Sequence, residues 1–145
     1  MAKSGKKQDK TDNQKEIKEK YMELQLINQQ MEEFQKQIKT ISEQIEEIRK
    51  IKEALYEFRN FEAGSKMLAP ISSGIFVKAK VENTNELLVN VGGNTIVAKS
   101  VDATKALLER QLTEIRNVYE ELEKNQALMH AKAQKLGTEL QKMIG

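Results

Sequence analysis

The chain has 145 residues, 24 Lys and Arg against 22 Asp and Glu, a formal charge of +2, and 32% charged but only 5% aromatic residues. That near balance gives no global field demanding nucleic acid or an anionic membrane. The absence of cysteine rules out disulfides and thiolate metal sites, and no apolar run approaches the ~20 residues needed to span a bilayer. One proline and seven glycines, among abundant Ala, Glu, Lys, Leu and Gln, point to long helices. Met1–Asn13 has no apolar signal-peptide core, so a soluble cytoplasmic protein is expected.

Residues 1–12 are too polar to order themselves, and a disordered basic tail is expected there. Lys3, Lys6, Lys7 and Lys10 suit an anion-binding arm, but no Arg or aromatic accompanies them, and a solvated tail is the favoured reading. From residue 13 to residue 62 the spacing predicts one long helix. Ile17, Leu24, Met31, Ile38, Ile45 and Lys52 fall at position a of a heptad. Lys20, Ile27, Phe34, Ile41, Ile48 and Leu55 fall at position d. Steps of three and four put these side chains on one seam that a coiled-coil partner must cover. Ile51 and Phe58 suggest a register slip near the end, and Gly64 suits the residue that closes the helix.

Residues 63–100 break the pattern. Four short runs, Lys66–Ile71, Ile75–Glu82, Leu87–Val91 and Thr95–Lys99, are separated by Ser72-Ser73-Gly74, Asn83-Thr84-Asn85 and Gly92-Gly93-Asn94. They read as two β-hairpins, with Pro70 at an edge or bend. Ile75, Val77, Ala79 and Val81 share one face, as do Leu87, Val89 and Val91. Phe76, Leu88 and Val97 are expected on the opposite faces. So small an insert with open apolar edges is not stable alone; it is expected to assemble with other subunits. From residue 101 to residue 145 a second heptad follows. Leu112, Tyr119, Gln126, Ala133 and Leu140 are at a, and Leu108, Ile115, Leu122, Met129, Leu136 and Met143 at d. Ser100 or Asp102 caps its start.

The two stripes, residues 17–58 and 101–144, are each roughly 60–65 Å at 1.5 Å per residue. Equal lengths fit an antiparallel helical hairpin, with Phe58 near Leu108, Met31 near Met129 or Ala133, and Leu24 near Leu136 or Leu140. The fold class expected from the residues is mainly α, a long antiparallel coiled-coil hairpin with two inserted β-hairpins that serve assembly. Both termini then meet at one free tip. There Ile17, Tyr21, Met22, Leu24, Leu136, Leu140, Met143 and Ile144 are the candidate gripping residues, since helix ends lack backbone partners and thioethers adapt to varied apolar partners. Leu68, Ile71, Phe76, Val77, Leu88, Val89, Val91, Ile96 and Val97 are the candidate assembly residues.

No catalytic pattern stands out. Gly92-Gly93-Asn94 lacks the Gly-Lys-Ser/Thr and the helix of a phosphate cradle. His130 is the one histidine and flanks Met129 without a ligand pattern. The carboxylates, such as Glu43, Glu46 and Glu47, alternate with Arg49 and Lys50 on a solvated face. No enzyme activity, metal or cofactor is expected.

The hairpin residues carry a sharper likeness. Leu68-Ala69-Pro70-Ile71-Ser72-Ser73-Gly74-Ile75-Phe76-Val77-Lys78-Ala79 resembles the Leu-Val-Pro-Ile-Gly-x-Gly-x-Phe-Val-Lys-Ala stretch of prefoldin. Leu88 to Ser100 resembles that family's Val-Gly-x-Gly-x-x-Val-Glu-Lys-Ser stretch. Ala69, Ser72, Asn94 and Ala98 depart from the pattern without breaking a strand or turn. Two hairpins match the family's α-type subunit, and the lack of cysteine and of long extensions suggests its archaeal form. The resemblance, over residues 15–145, implies an ATP-independent chaperone: a hetero-hexamer of two α-type and four β-type subunits whose hairpins build a barrel. It would hold unfolded client proteins between coiled-coil tips and pass them to a group II chaperonin, with no role for nucleic acid or membrane. The competing readings are a coiled-coil scaffold or spacer without clients, and a nucleic-acid binder using the lysine tail.

Overall fold

The structure, a computed structural model, describes the backbone of residues 2–145 and the side chains of residues 10–145. Its elements run α1 (Ala2–Phe58), β1 (Lys66–Ser72), β2 (Ile75–Lys80), β3 (Leu87–Asn90), β4 (Ile96–Lys99) and α2 (Val101–Ile144). Helix α1 meets no Gly or Pro between Gly5 and Gly64. Its backbone is helical from Ala2, over the stretch whose composition suggests disorder. Extending an existing helix fixes only one residue per new hydrogen bond, and Lys and Gln are good helix formers. The side chains of Lys3, Lys6 and Lys7 lie outside the described residues.

The end of α1 differs from expectation. The amides of Arg59, Asn60 and Phe61 donate to carbonyls three residues back, at 3.3, 3.1 and 3.0 Å, which tightens the last turn. Phe61 then packs edge-on against Phe58, with ring centroids 5.5 Å apart. Gly64, at φ +92°, does not close α1. It sits in the next turn, where the Ser65 amide donates to the Glu62 carbonyl and Ser65 Oγ accepts from the Glu62 amide at 2.9 Å. The start of α2 follows expectation: Ser100 Oγ accepts from the Ala103 amide at 3.1 Å, the N-cap bond. Asp102 adds a favourable charge in the first turn.

The chain divides into two compact units. One holds Met1–Ser42 with Asn117–Gly145, the other Glu43–Arg116. In each, the helical segments pair antiparallel along the heptad seam, and none of the a or d positions named above is fully exposed. In the second unit Ile48, Leu108 and Leu112 form a buried core, with Ile45, Leu55 and Ile115 packed against it. Lys52 reaches Glu109 across the seam, so Leu108 lies level with Lys52, about six residues, or ~9 Å of helix, from the Phe58 expected beside it. The expected slip at Ile51 is also corrected: Ile51 is 43% exposed, while Lys52 and Leu55 continue the seam. The step comes at Phe58, half-buried in place of exposed Arg59. Lys52 lays its stem along the seam and reaches Glu109 with its ammonium, at 4.0 Å. In the first unit Ile27 and Leu140 are buried.

The insert forms two separate two-stranded antiparallel sheets, β1–β2 and β3–β4. In the first, Met67 faces Ala79, Leu68 faces Lys78, Ala69 faces Val77 and Pro70 faces Phe76. The register then shifts, leaving Ile71 as the extra residue before Ser72 pairs with Ile75. Pro70 thus lies beside an irregularity, where its missing N–H costs little. The tight turn into β4 takes left-handed backbone at Gly92, Gly93 and Asn94. Asn90 Oδ1 supports it by accepting from the Gly92 amide at 2.9 Å.

Candidate interaction surfaces

Two apolar surfaces stand out, one in each unit. The first is on the hairpins. Opposed residues in an antiparallel pair share a face, so Met67, Ala69, Val77 and Ala79 lie together on one side of β1–β2. On the other side lie Leu68, Pro70 and Phe76 with Lys66, Lys78 and Lys80. The β3–β4 register pairs Val89 with Val97 and Leu87 with Lys99. Val97 therefore belongs with Leu87 and Val89, not on the opposite face as expected from alternation. That face is half-buried. The other, carrying Leu88 and Ile96, is bare, with Leu88 78% exposed.

Of the nine candidate assembly residues, Leu68, Ile71, Phe76, Val77, Leu88, Val91 and Ile96 are exposed, while Val89 and Val97 are half-buried. Met67 and Ile75 are exposed as well. So many exposed apolar side chains on two small sheets mark an interaction site, and the outer edges of both two-stranded sheets are open to pairing. Burial rises along the Ile75, Val77, Ala79, Val81 face from the turn to the base, where Val81 is buried. There Val81 donates to the Ser65 carbonyl at 2.8 Å and accepts from the Gly64 amide at 2.7 Å.

The second surface lies in the first unit, around the end of α2 and the stretch of α1 that pairs with it. The eight candidate gripping residues split there. Leu140 is only 5% exposed, and Ile17, Leu24, Leu136 and Met143 are half-buried in the seam. Tyr21, Met22 and Ile144 are exposed. Leu26 and Leu128 are exposed too. Both lie off the heptad seam, and only their apolar character in a polar helix face would have signalled them. A salt bridge holds this region in register: Lys20 Nζ donates to Glu139 Oε2 at 3.0 Å. The hydrogen bond to Glu139 holds the Lys20 ammonium above its ordinary pKa, against partial desolvation. The same bond holds Glu139 below the usual carboxylate range. A lysine at a seam position is thereby answered by an acid from the other helix.

Between these residues and Ser42, the polar seam residue Gln126 borders an open groove of about 710 Å³ with Met31, Asn28, Gln35 and His130. His130 is exposed there. Among the described residues no cluster of three or more His, Asp or Glu is placed to hold a metal ion. No helix among the described residues is long and apolar enough to cross a membrane.

Comparison with known proteins agrees with this geometry. The family model described as "Prefoldin subunit" matches residues 27–145. A prefoldin subunit alpha of Methanococcus vannielii is 26% identical over 130 residues, covering 90% of this chain and 82% of the relative. That of Thermofilum pendens is 30% identical over 98 residues, covering 68% and 76%. That of Pyrococcus horikoshii is 28% identical over 134 residues, covering 92% and 83%. Among solved structures, a filamentous PFD from Methanocaldococcus jannaschii shares the fold, with a TM-score of 0.72 and 22% identity over 80% of this chain and 96% of that one.

Proposed function

The chain belongs to the prefoldin subunit family, a family of molecular chaperones, and on that premise we propose that it is an α-type subunit that binds unfolded proteins without consuming ATP. Its two hairpins join those of one-hairpin, β-type partners in a closed barrel, in a hexamer of two α and four β subunits. Clients are held at the helix ends that carry the chain termini and are passed on to a group II chaperonin in the cytoplasm. The basic segment 1–12 is dispensable for this work.

The observation that carries the reading is the pairing of two kinds of exposed apolar surface on one chain. Strand faces with open edges suit a permanent partner of matching geometry, because backbone pairing fixes register. Isolated exposed side chains, Tyr21 and Met22 within α1 and Ile144 at the end of α2, suit partners of no fixed sequence. Each such contact is weak, and several arms holding one client raise the effective concentration.

The test is aggregation suppression of a chemically denatured client, with and without a β-type partner, with and without ATP. The reading expects suppression by the mixed complex and no effect of nucleotide. Failure of the mixed complex to suppress aggregation would favour a scaffold without clients. Light scattering on the same samples separates a closed mixed assembly from open self-assembly, the filamentous form named for the Methanocaldococcus jannaschii structure.

A further inference from the structure

Beside the start of α2, within the unit that carries the hairpins, lies a groove of about 300 Å³ that the chaperone reading does not use. Its apolar walls are Leu55 and Val101, and Tyr56 stands at its rim, 70% exposed. Three cations border it, Lys52, Arg59 and Lys105, against one carboxylate, Glu109. Glu109 is taken by Lys52. Among the described residues neither Arg59 nor Lys105 has a carboxylate within ion-pair reach. The Arg59 guanidinium lies 5.8 Å from the centroid of the Tyr56 ring. At that distance the ring face attracts the guanidinium, weakly at an exposed site.

We propose that this groove binds an acidic, extended polypeptide segment of a partner protein. An apolar side chain of the segment rests on Leu55, Val101 and the Tyr56 ring, and its adjacent carboxylate is gripped by Arg59 and Lys105. The charge count selects this chemistry. Two free cations complement one or two carboxylates, and an Arg fork matches a carboxylate in two parallel hydrogen bonds. A nucleic acid strand needs a longer basic track, and here the Glu109 carboxylate sits in the wall. An apolar floor is of no use to a bare phosphate, but it suits a peptide that alternates acidic and apolar side chains.

The experiment is fluorescence anisotropy on the full-length protein in its assembled form. The probe is a labelled peptide of alternating Leu and Asp, beside its Asn counterpart and a labelled single-stranded oligonucleotide. The acidic peptide should bind saturably, more weakly as salt rises, and the Asn peptide should bind far less. Arg59→Gln and Lys105→Gln should each weaken binding about tenfold, with melting temperature and particle mass unchanged. Arg59→Lys should rescue only part of the loss, since it keeps the charge but not the fork. No saturable binding, binding indifferent to both substitutions, or tighter binding of the oligonucleotide would each overturn the proposal. Because the helix-end residues are untouched in these variants, client capture reports separately on the chaperone reading.

Discussion

Replacing Tyr21, Met22 and Ile144 together with glutamine removes the apolar groups that stand in water at the chain-end region and leaves the seam intact. Glutamine matches methionine in helix propensity, so α1 and α2 should persist. Fully burying an Ile or Met side chain is worth ~1.5–3 kcal/mol. Met22 is 60% and Ile144 71% exposed, so a client can still gain about 1–2 kcal/mol from each. Ordering the side chain takes back about 0.5–1.5 kcal/mol. The three groups together then contribute about 2 kcal/mol per arm, or roughly 30-fold in retention. The assay is the dose of complex needed to halve light scattering from a denatured client, and the triple variant should need at least tenfold more. Melting temperature and particle mass should match the parent. A triple variant that suppresses aggregation at the parent's dose would refute the reasoning and move the client surface elsewhere, with exposed Leu26 and Leu128 next to be changed.

Other outcomes follow from the same geometry. Leu112→Ala, in the buried core with Ile48 and Leu108, should lower stability by ~2–4 kcal/mol in urea unfolding, as a cavity opens that the helices only partly close. Ser100→Ala removes the N-cap acceptor of α2 and should cost about 1 kcal/mol in the same measurement. Leu88→Asp puts a charge on the bare β3–β4 face and should reduce the mass of the mixed complex in light scattering, without changing helix content by circular dichroism. The Lys20–Glu139 pair sets a pH window. The lowered Glu139 pKa gives stability that is present above the ordinary carboxylate range and lost as pH falls through the folded value. The raised Lys20 pKa gives stability that is present below the ordinary ammonium range and lost as pH rises through the folded value. Glu139→Gln should therefore flatten the melting-temperature profile at both ends, and high salt should mimic it.

The sequence alone determined the order of two long helices around two hairpins, and which side of each helix turns inward, but not where α1 begins and ends. Both signals are local. A heptad is a repeat of side chains a few residues apart, and a Gly-Gly-Asn turn needs only the left-handed freedom of its own residues. That is why every assigned a and d position, the Ser100 cap and both hairpins were legible, and why the hairpin residues sufficed to suggest the family. Tertiary structure decided what those elements meet. Lys20 and Lys52 read as defects in an apolar stripe, because the glutamates that answer them lie on the other helix, 119 positions away in the case of Glu139. Val97 changed faces because cross-strand register, not alternation within β4, sets which residues stand together. Leu140 and Ile144 are both apolar and four residues apart, yet one is buried and the other is 71% exposed. The groove by Arg59 and Lys105 joins residues from two helices, and no repeat within either one announces it. Periodicity records the direction in which a side chain points. Only the partner across the gap decides whether that side chain is covered, neutralised or left free to bind.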